Sequence, residues 1–197
     1  DIRYKDVNAD GKIDDDDVVP IAHSNVPQIQ YGFALEYRYK RWTISALFTG
    51  AAKVNFLYGG SGFYPFSGGE VGNILSIVND PKNRWTPAWY SGDPSTENPN
   101  ARFPRLTYGE NKNNNRASTF WLADGSYLRW KSLDISYRIG TNKALRTVGI
   151  SDMNLQFVGQ NLAVWDSVKL WDPGQASKNG AVYPLQRTFS LQLTATF

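Results

Sequence analysis

Gln28-Ile29-Gln30-Tyr31-Gly32-Phe33-Ala34-Leu35-Glu36-Tyr37-Arg38-Tyr39-Lys40 alternates without error. Ile29, Tyr31, Phe33, Leu35, Tyr37 and Tyr39 fall on one face, and Gln28, Gln30, Gly32, Ala34, Glu36, Arg38 and Lys40 on the other. A period of two belongs to a β-strand, whose successive side chains point to opposite sides. Strands of soluble domains usually run about five or six residues, whereas a tilted strand crossing a bilayer takes about 9 to 11. The run predicts a strand of membrane length.

Outward from it the pattern recurs. Trp42, Ile44, Ala46 and Phe48 oppose Thr43, Ser45 and Thr49, with Leu47 out of step, and only Lys40 and Arg41 are left to make the turn. Leu133, Ile135, Tyr137 and Ile139 oppose Ser132, Asp134, Ser136 and Arg138 in a strand starting near Ser126. Met153, Leu155, Phe157 and Gly159 oppose Asn154, Gln156, Val158 and Gln160. Phe189, Leu191, Leu193, Ala195 and Phe197 oppose Thr188, Ser190, Gln192, Thr194 and Thr196 up to the last residue. The expectation is all-β, with five antiparallel strands and a short helical turn over Val71 to Val78.

The connections alternate between short (40–41, 140–151) and long (52–125, 162–186). Tight periplasmic turns and extended extracellular loops alternate in this way in bacterial outer-membrane barrels. The expected organisation is an extracellular loop at 1–27, two strands with a tight periplasmic turn at 28–51, and a long extracellular loop at 52–125. Two strands with a periplasmic turn at 126–161, an extracellular loop at 162–186 and a final strand at 187–197 follow, which leaves the C-terminus periplasmic. Open strand edges in hydrocarbon would leave backbone groups unpaired at several kcal/mol each, and bacterial barrels need about eight strands or more. Five strands are therefore expected to be part of something larger, which also suits a chain opening on Asp1 without Met or signal sequence.

Composition narrows the function classes. The 197 residues include 7 Trp, 11 Tyr and 10 Phe, no Cys and one His, His23. That excludes a disulfide framework, a cysteine nucleophile, thiolate metal sites and zinc sites with two or three histidines. A net charge of +3 without a dense basic cluster gives no case for nucleic acid. No run approaches the roughly 18 apolar residues of a membrane helix. A barrel remains compatible with a mean hydropathy of −0.45, because lumen-facing residues dilute the lipid-facing ones while aromatics gather at the interfaces.

Asp6-Val7-Asn8-Ala9-Asp10-Gly11-Lys12-Ile13-Asp14-Asp15-Asp16-Asp17 has the spacing of a calcium loop. Asp6, Asn8 and Asp10 supply oxygens at alternate positions, and Gly11 allows the sharp turn. Lys12 would offer its carbonyl, Ile13 would anchor the loop, and Asp14 could ligate directly or through water. Asp17 stands where an EF-hand carries a bidentate Glu, as in the dockerin type. The competing reading is a solvated acidic turn. The expected cofactor is a structural calcium that stiffens the loop. Among the aromatics of 52–125, Trp85, Trp89, Tyr90 and Trp121 are candidates to touch substrate or a partner, against the alternative of a private loop core. Leu191 to Phe197 looks like the assembly signal of an outer-membrane barrel, with Phe197 at its end. Gly59-Gly60-Ser61-Gly62 is not a nucleophile elbow, no phosphate-binding glycine motif occurs, and no carboxylate pair stands out, so no enzyme is expected.

The phrases Asp1-Ile2-Arg3-Tyr4-Lys5-Asp6-Val7-Asn8-Ala9-Asp10-Gly11, Pro27-Gln28-Ile29-Gln30-Tyr31-Gly32-Phe33, Arg84-Trp85-Thr86-Pro87 and Phe103-Pro104-Arg105 recur in a known family. So do Phe120-Trp121-Leu122-Ala123-Asp124-Gly125-Ser126-Tyr127-Leu128-Arg129-Trp130-Lys131-Ser132-Leu133, Gly159-Gln160-Asn161-Leu162 and Tyr183-Pro184-Leu185-Gln186-Arg187-Thr188. Together they resemble the C-terminal part of SusC/RagA-type TonB-dependent outer-membrane transporters of Bacteroidetes, with Trp130 where a Leu is more usual. The resemblance implies a transmembrane β-barrel of about 22 strands around an N-terminal plug. It also implies a SusD-like surface lipoprotein, energy delivered through TonB by regions outside this chain, and oligosaccharides or oligopeptides as substrates. Glu36, Arg38, Asp134, Arg138, Gln156 and Gln160 would face the lumen. The alternative is a secreted carbohydrate-binding β module with a structural calcium site.

Overall fold

Alternating aromatic and branched residues settle into strands because a pleated surface packs each side chain against neighbours two residues away and across the ladder. In the computed structural model, which describes residues 1–67 and 72–197, the elements run β1 (Ile29–Tyr39), β2 (Trp42–Ala52), β3 (Asn55–Leu57), α1 (Ser76–Asn79), α2 (Ala88–Ser91), β4 (Leu122–Asp124), β5 (Tyr127–Arg138), α3 (Lys143–Thr147), β6 (Asp152–Asp166) and β7 (Thr188–Thr196). The fold is mostly antiparallel β. One open five-stranded sheet has the order β1-β2-β5-β6-β7, and β3 pairs with β4 in a second sheet. Of the helical turn expected over Val71 to Val78, only Ser76 to Val78 is helical, within α1; residues 72–75 have no regular structure, and Val71 lies outside the described residues. Among the described residues no helix is long and apolar enough to cross a membrane.

The contacts of the chain divide it into two units: 1–23, 56–123 and 177–181 in one, and 24–55, 124–176 and 182–197 in the other. The second unit holds the five-stranded sheet. Its strands contain 11, 11, 12, 15 and 9 residues. Register carries the alternation of β1 across all of them. Tyr37 pairs with Ile44, which pairs with Ile135, then Phe157, then Leu191. The adjacent row is Leu35, Ala46, Leu133, Gly159 and Phe189. Phe33 stacks on Phe48 with ring centroids 4.9 Å apart, and Phe48 on Trp130 at 5.8 Å. One face of the sheet is thus continuously apolar, and Leu191 (73%) and Leu35 (60%) are exposed on it.

Two irregularities keep that face intact. Between Leu47 and Phe48 the partner on β5 jumps from Ser132 to Trp130, so Lys131 is an extra residue. On β6, Gln160 pairs with Ser132 but Ala163 pairs with Trp130, leaving Asn161 and Leu162 extra, and Asn161 takes φ +52°. A bulge reverses side-chain parity. Leu128 and Trp130 before it therefore share a face with Leu133 and Ile135 after it. The same bulge explains why β6 runs on to Asp166, beyond the boundary expected at 161: the alternation breaks while the ladder continues.

The other unit has its own aromatic core. Phe63 (1% exposed), Phe103 (1%), Trp121 (2%) and Val78 (0%) are buried in it. Phe63 stacks on Tyr58 and meets Trp121 edge-on, with centroids 5.1 and 5.8 Å apart. Arg84 is buried and donates from Nη1 to the carbonyls of Val78 and Asn79 at 2.6 and 2.8 Å. Those are C-terminal acceptors of α1 that no intrahelical amide reaches. The Arg84-to-Pro87 and Phe103-to-Arg105 phrases lie side by side, since Trp85 donates its amide to the carbonyl of Phe103, and Phe103 donates its amide to that of Asn83, each at 3.0 Å.

Candidate functional site

Three regions carry functional chemistry. The first is the polar face of the five-stranded sheet. Glu36 aligns with Ser45, Asp134, Val158 and Ser190, and Arg38 with Thr43, Ser136, Gln156 and Gln192. Gln156 donates to Asp134 Oδ2 at 2.6 Å, Arg38 pairs with Glu36 at 2.6 Å, and Arg138 pairs with Asp152 at 3.1 Å. Register puts Gln160 beside Ser132 on the same face. Of the six residues expected to face a lumen, Glu36, Arg38, Asp134, Arg138 and Gln156 are thus hydrogen-bonded or ion-paired. The exposed ion pairs contribute little to stability. An unforeseen member is Arg129, paired with Asp172 at 2.6 Å. Arg129 belongs to a quoted phrase, but its partner lies 43 residues on, a separation that local reading does not bridge.

The second region is the acidic loop. Asp6 accepts the amides of Ala9 (2.6 Å) and Gly11 (2.8 Å), Asn8 accepts that of Asp10 (3.0 Å), and Asp10 that of Lys12 (2.8 Å). Asp14 and Asp17 form a reciprocal capping box around the turn Asp15–Asp17. Asp17 also accepts the amide of Val7 at 2.6 Å, closing the loop on itself. The side-chain oxygens thus organise the backbone. An all-oxygen donor set is the kind calcium takes. Among the described residues, no three His, Asp or Glu side chains are drawn together as around an ion. Beside the loop, Arg3, Tyr4, Lys5, Ile13 and Asn113 border an open cleft of about 690 Å³.

The amides of Val7 and Asp14 hold the Asp17 carboxyl below its ordinary value. A lowered folded pKa means that the carboxylate supports the loop above the unfolded value, near pH 4, and loses that support as pH falls through the lowered one. The amide of Val7 is therefore expected to lose hydrogen-exchange protection on acidification, and Asp17→Asn to show the loss already at neutral pH. Equal protection in both proteins at neutral pH would refute the role.

The third region is the aromatic set. Trp89 (84%) and Tyr90 (66%) stand exposed, edge to face at 5.9 Å. They rise from α2, which is held from below: Ala88 donates its amide to Glu97 at 2.8 Å, and Ser91 bonds to the Thr96 hydroxyl at 2.7 Å. Trp85 is half-buried. Trp121 is corrected from a contact residue to a core residue, since it is buried among Phe63, Tyr64, Phe103 and Phe120, with Nε1 donating to the carbonyl of Asn114 at 2.7 Å. Phe197 is exposed just past the end of β7.

No protein-family model matches the sequence. No curated protein matches it. Solved structures do. A chain of the RagAB peptide importer in its open-open state has a TM-score of 0.65 and 20% identity, with 94% of this chain covered. The closed-closed state gives 0.66, 19% and 94%, and a further structure of the RagAB peptide transporter 0.62, 18% and 94%. The chain spans only 19% of the length of each. The resemblance to SusC/RagA-type transporters read from sequence phrases thus has a counterpart in three dimensions, and the protein has the fold of a portion of the RagAB importer.

Proposed function

We propose that the chain is the C-terminal barrel segment of a TonB-dependent outer-membrane importer, completed to about 22 strands by the rest of the same barrel and filled by its plug. The observation that carries this reading is the two-faced sheet: membrane-length strands, one unbroken apolar face, one polar ladder. Contiguous exposed apolar surface of that extent suits lipid, not water. The Lys40–Arg41 turn and Phe197 then lie on the periplasmic side, and the long connections are extracellular. The chain works by binding and passage, not catalysis. A SusD-like surface lipoprotein is the proposed partner, and TonB acts through regions outside this chain. The structural neighbours belong to a peptide importer, which favours oligopeptides. The exposed Trp89–Tyr90 pair equally suits the C–H face of an oligosaccharide. A structural calcium held by Asp6, Asn8, Asp10, Lys12, Asp14 and Asp17 is the proposed cofactor.

The test uses the full-length protein in outer membranes. Nitroxides on cysteines at Leu191 and Leu193 should relax faster with oxygen than with a water-soluble nickel chelate, and those at Gln192 and Thr194 the reverse. Equal behaviour at all four would sink the barrel reading. In the same protein, Trp89→Ala with Tyr90→Ala should weaken binding of solute or lipoprotein by about tenfold or more, the scale of a small aromatic hot spot. Folding should be unaffected, since both rings are exposed. Unchanged affinity for both would remove the pair from the contact surface.

A further inference from the structure

The connection after β6 does not stand clear of the sheet. Arg129 lies on the polar face of β5, the middle strand, in register with Thr49 on β2 and Val164 on β6. Its side chain is 8% exposed and that of Asp172 13%, and they pair at 2.6 Å. The same Asp172 oxygen accepts the amide of Gly174 at 2.9 Å and so starts the turn Pro173–Gln175. The turn lies against the ends of the Tyr127 and Arg129 side chains. A Cβ on Gly174 would come within 3.2 Å of the Tyr127 hydroxyl and 3.3 Å of Arg129 Nη2. Pro173 is buried, and Val168 is 1% exposed. Farther along, Gln175 Nε2 donates to the carbonyl of Tyr183 at 2.6 Å, and Asn161, in the β6 bulge, to that of Gln186 at 2.9 Å.

We infer that Arg129 and Asp172 are positioning residues of the solute path, holding residues 172–176 folded over the polar face so that this segment narrows the path. The inference rests on the importer reading, which makes that face the lumen. Two charges largely removed from water stay together because parting leaves each uncompensated. The pair therefore fixes the segment in place and leaves Arg129 no free charge to offer a solute.

The experiment uses the full-length importer in outer membranes. This chain has no cysteine; with every cysteine outside it replaced by serine, a single Val168→Cys reports through its reaction with a membrane-impermeant sulfonated maleimide. Asp172→Asn or Arg129→Gln should speed that reaction about tenfold or more, and the exchange Arg129→Asp with Asp172→Arg should slow it again. With Thr49→Cys as reporter, a small maleimide should outpace a polyethylene-glycol maleimide in the parent, and the charge variants should narrow the gap. Variants that form heat-modifiable barrels yet label like the parent at both positions would overturn the positioning role alone. A parent that forms no such barrel would sink the importer reading, and this inference with it.

Discussion

On the proposed barrel reading, a full-length protein carrying Gly50→Val is expected to fail to assemble, with the heat-modifiable form nearly absent from outer membranes. Gly50 sits in β2 between Tyr31 on β1 and Leu128 on β5. The Tyr31 ring crosses directly over it, and the Tyr31 hydroxyl donates to the carbonyl of Tyr127 at 2.9 Å. A Cβ at Gly50 would overlap that ring and lie 2.5 Å from the Tyr127 carbonyl oxygen. A flexible side chain could swing aside, but a backbone oxygen moves only if the β2–β5 ladder shifts. Overpacking costs about 1 to 3 kcal/mol where neighbours can yield, and more where they cannot. Gly32→Ala is the matched control, its nearest neighbour being the Phe48 carbonyl oxygen at 3.2 Å, and should assemble with a modest loss. Equal assembly of the two variants would show that Gly50 has room the structure does not give it.

Trp121→Ala is expected to unfold the loop unit without unseating the strands. Its ring meets those of Phe63, Tyr64, Phe103 and Phe120, and Nε1 holds the carbonyl of Asn114. Asn114 in turn accepts the amide of Ile2 at 2.9 Å, so the indole braces the piece that ties 1–23 to 56–123. Truncating a buried Trp costs about 3 to 5 kcal/mol through lost burial and the cavity left behind. On the proposed barrel reading, limited proteolysis of intact cells should then cut within 56–123, while the full-length protein keeps its heat-modifiable mobility. Trp89→Ala, at an exposed ring, should leave the digestion pattern as in the parent. Protection of both variants would mean that Trp121 is not the centre of that core.

The alternating pattern was legible because period-two side-chain placement is local: β1 can be read from its own residues without knowledge of a partner strand. The assignment of Leu47 as out of step was local too, and it stops short. Leu47 stays on the polar-face side of β2, and the irregularity lies in the register with β5, where Lys131 is extra. The boundary at 161 failed for the same reason, since Asn161 and Leu162 interrupt the alternation but not the ladder. In the long loop, the aromatics could be counted but not sorted. Trp89 and Trp121 have the same chemistry, and only packing separates 84% exposure from 2%.

The acidic loop shows the division within one motif. Its spacing put Asp6, Asn8 and Asp10 in reach of amides two or three residues on, which Asp and Asn bond without help from elsewhere, whereas the bonds of Asp6 to Gly11 and of Asp17 back to Val7 form only once the loop closes. Arg129 and Asp172 lie at the other extreme, each an ordinary polar residue until the connection after β6 folds back over β5. What the sequence determined by itself was the five long strands and their two faces, since strand periodicity is written in consecutive residues; the three-residue β3 and β4 are too short to show it. Register across the bulges, the burial of Trp121 and the Arg129–Asp172 pair were decided only in the tertiary structure, because each depends on which distant backbone comes to lie alongside.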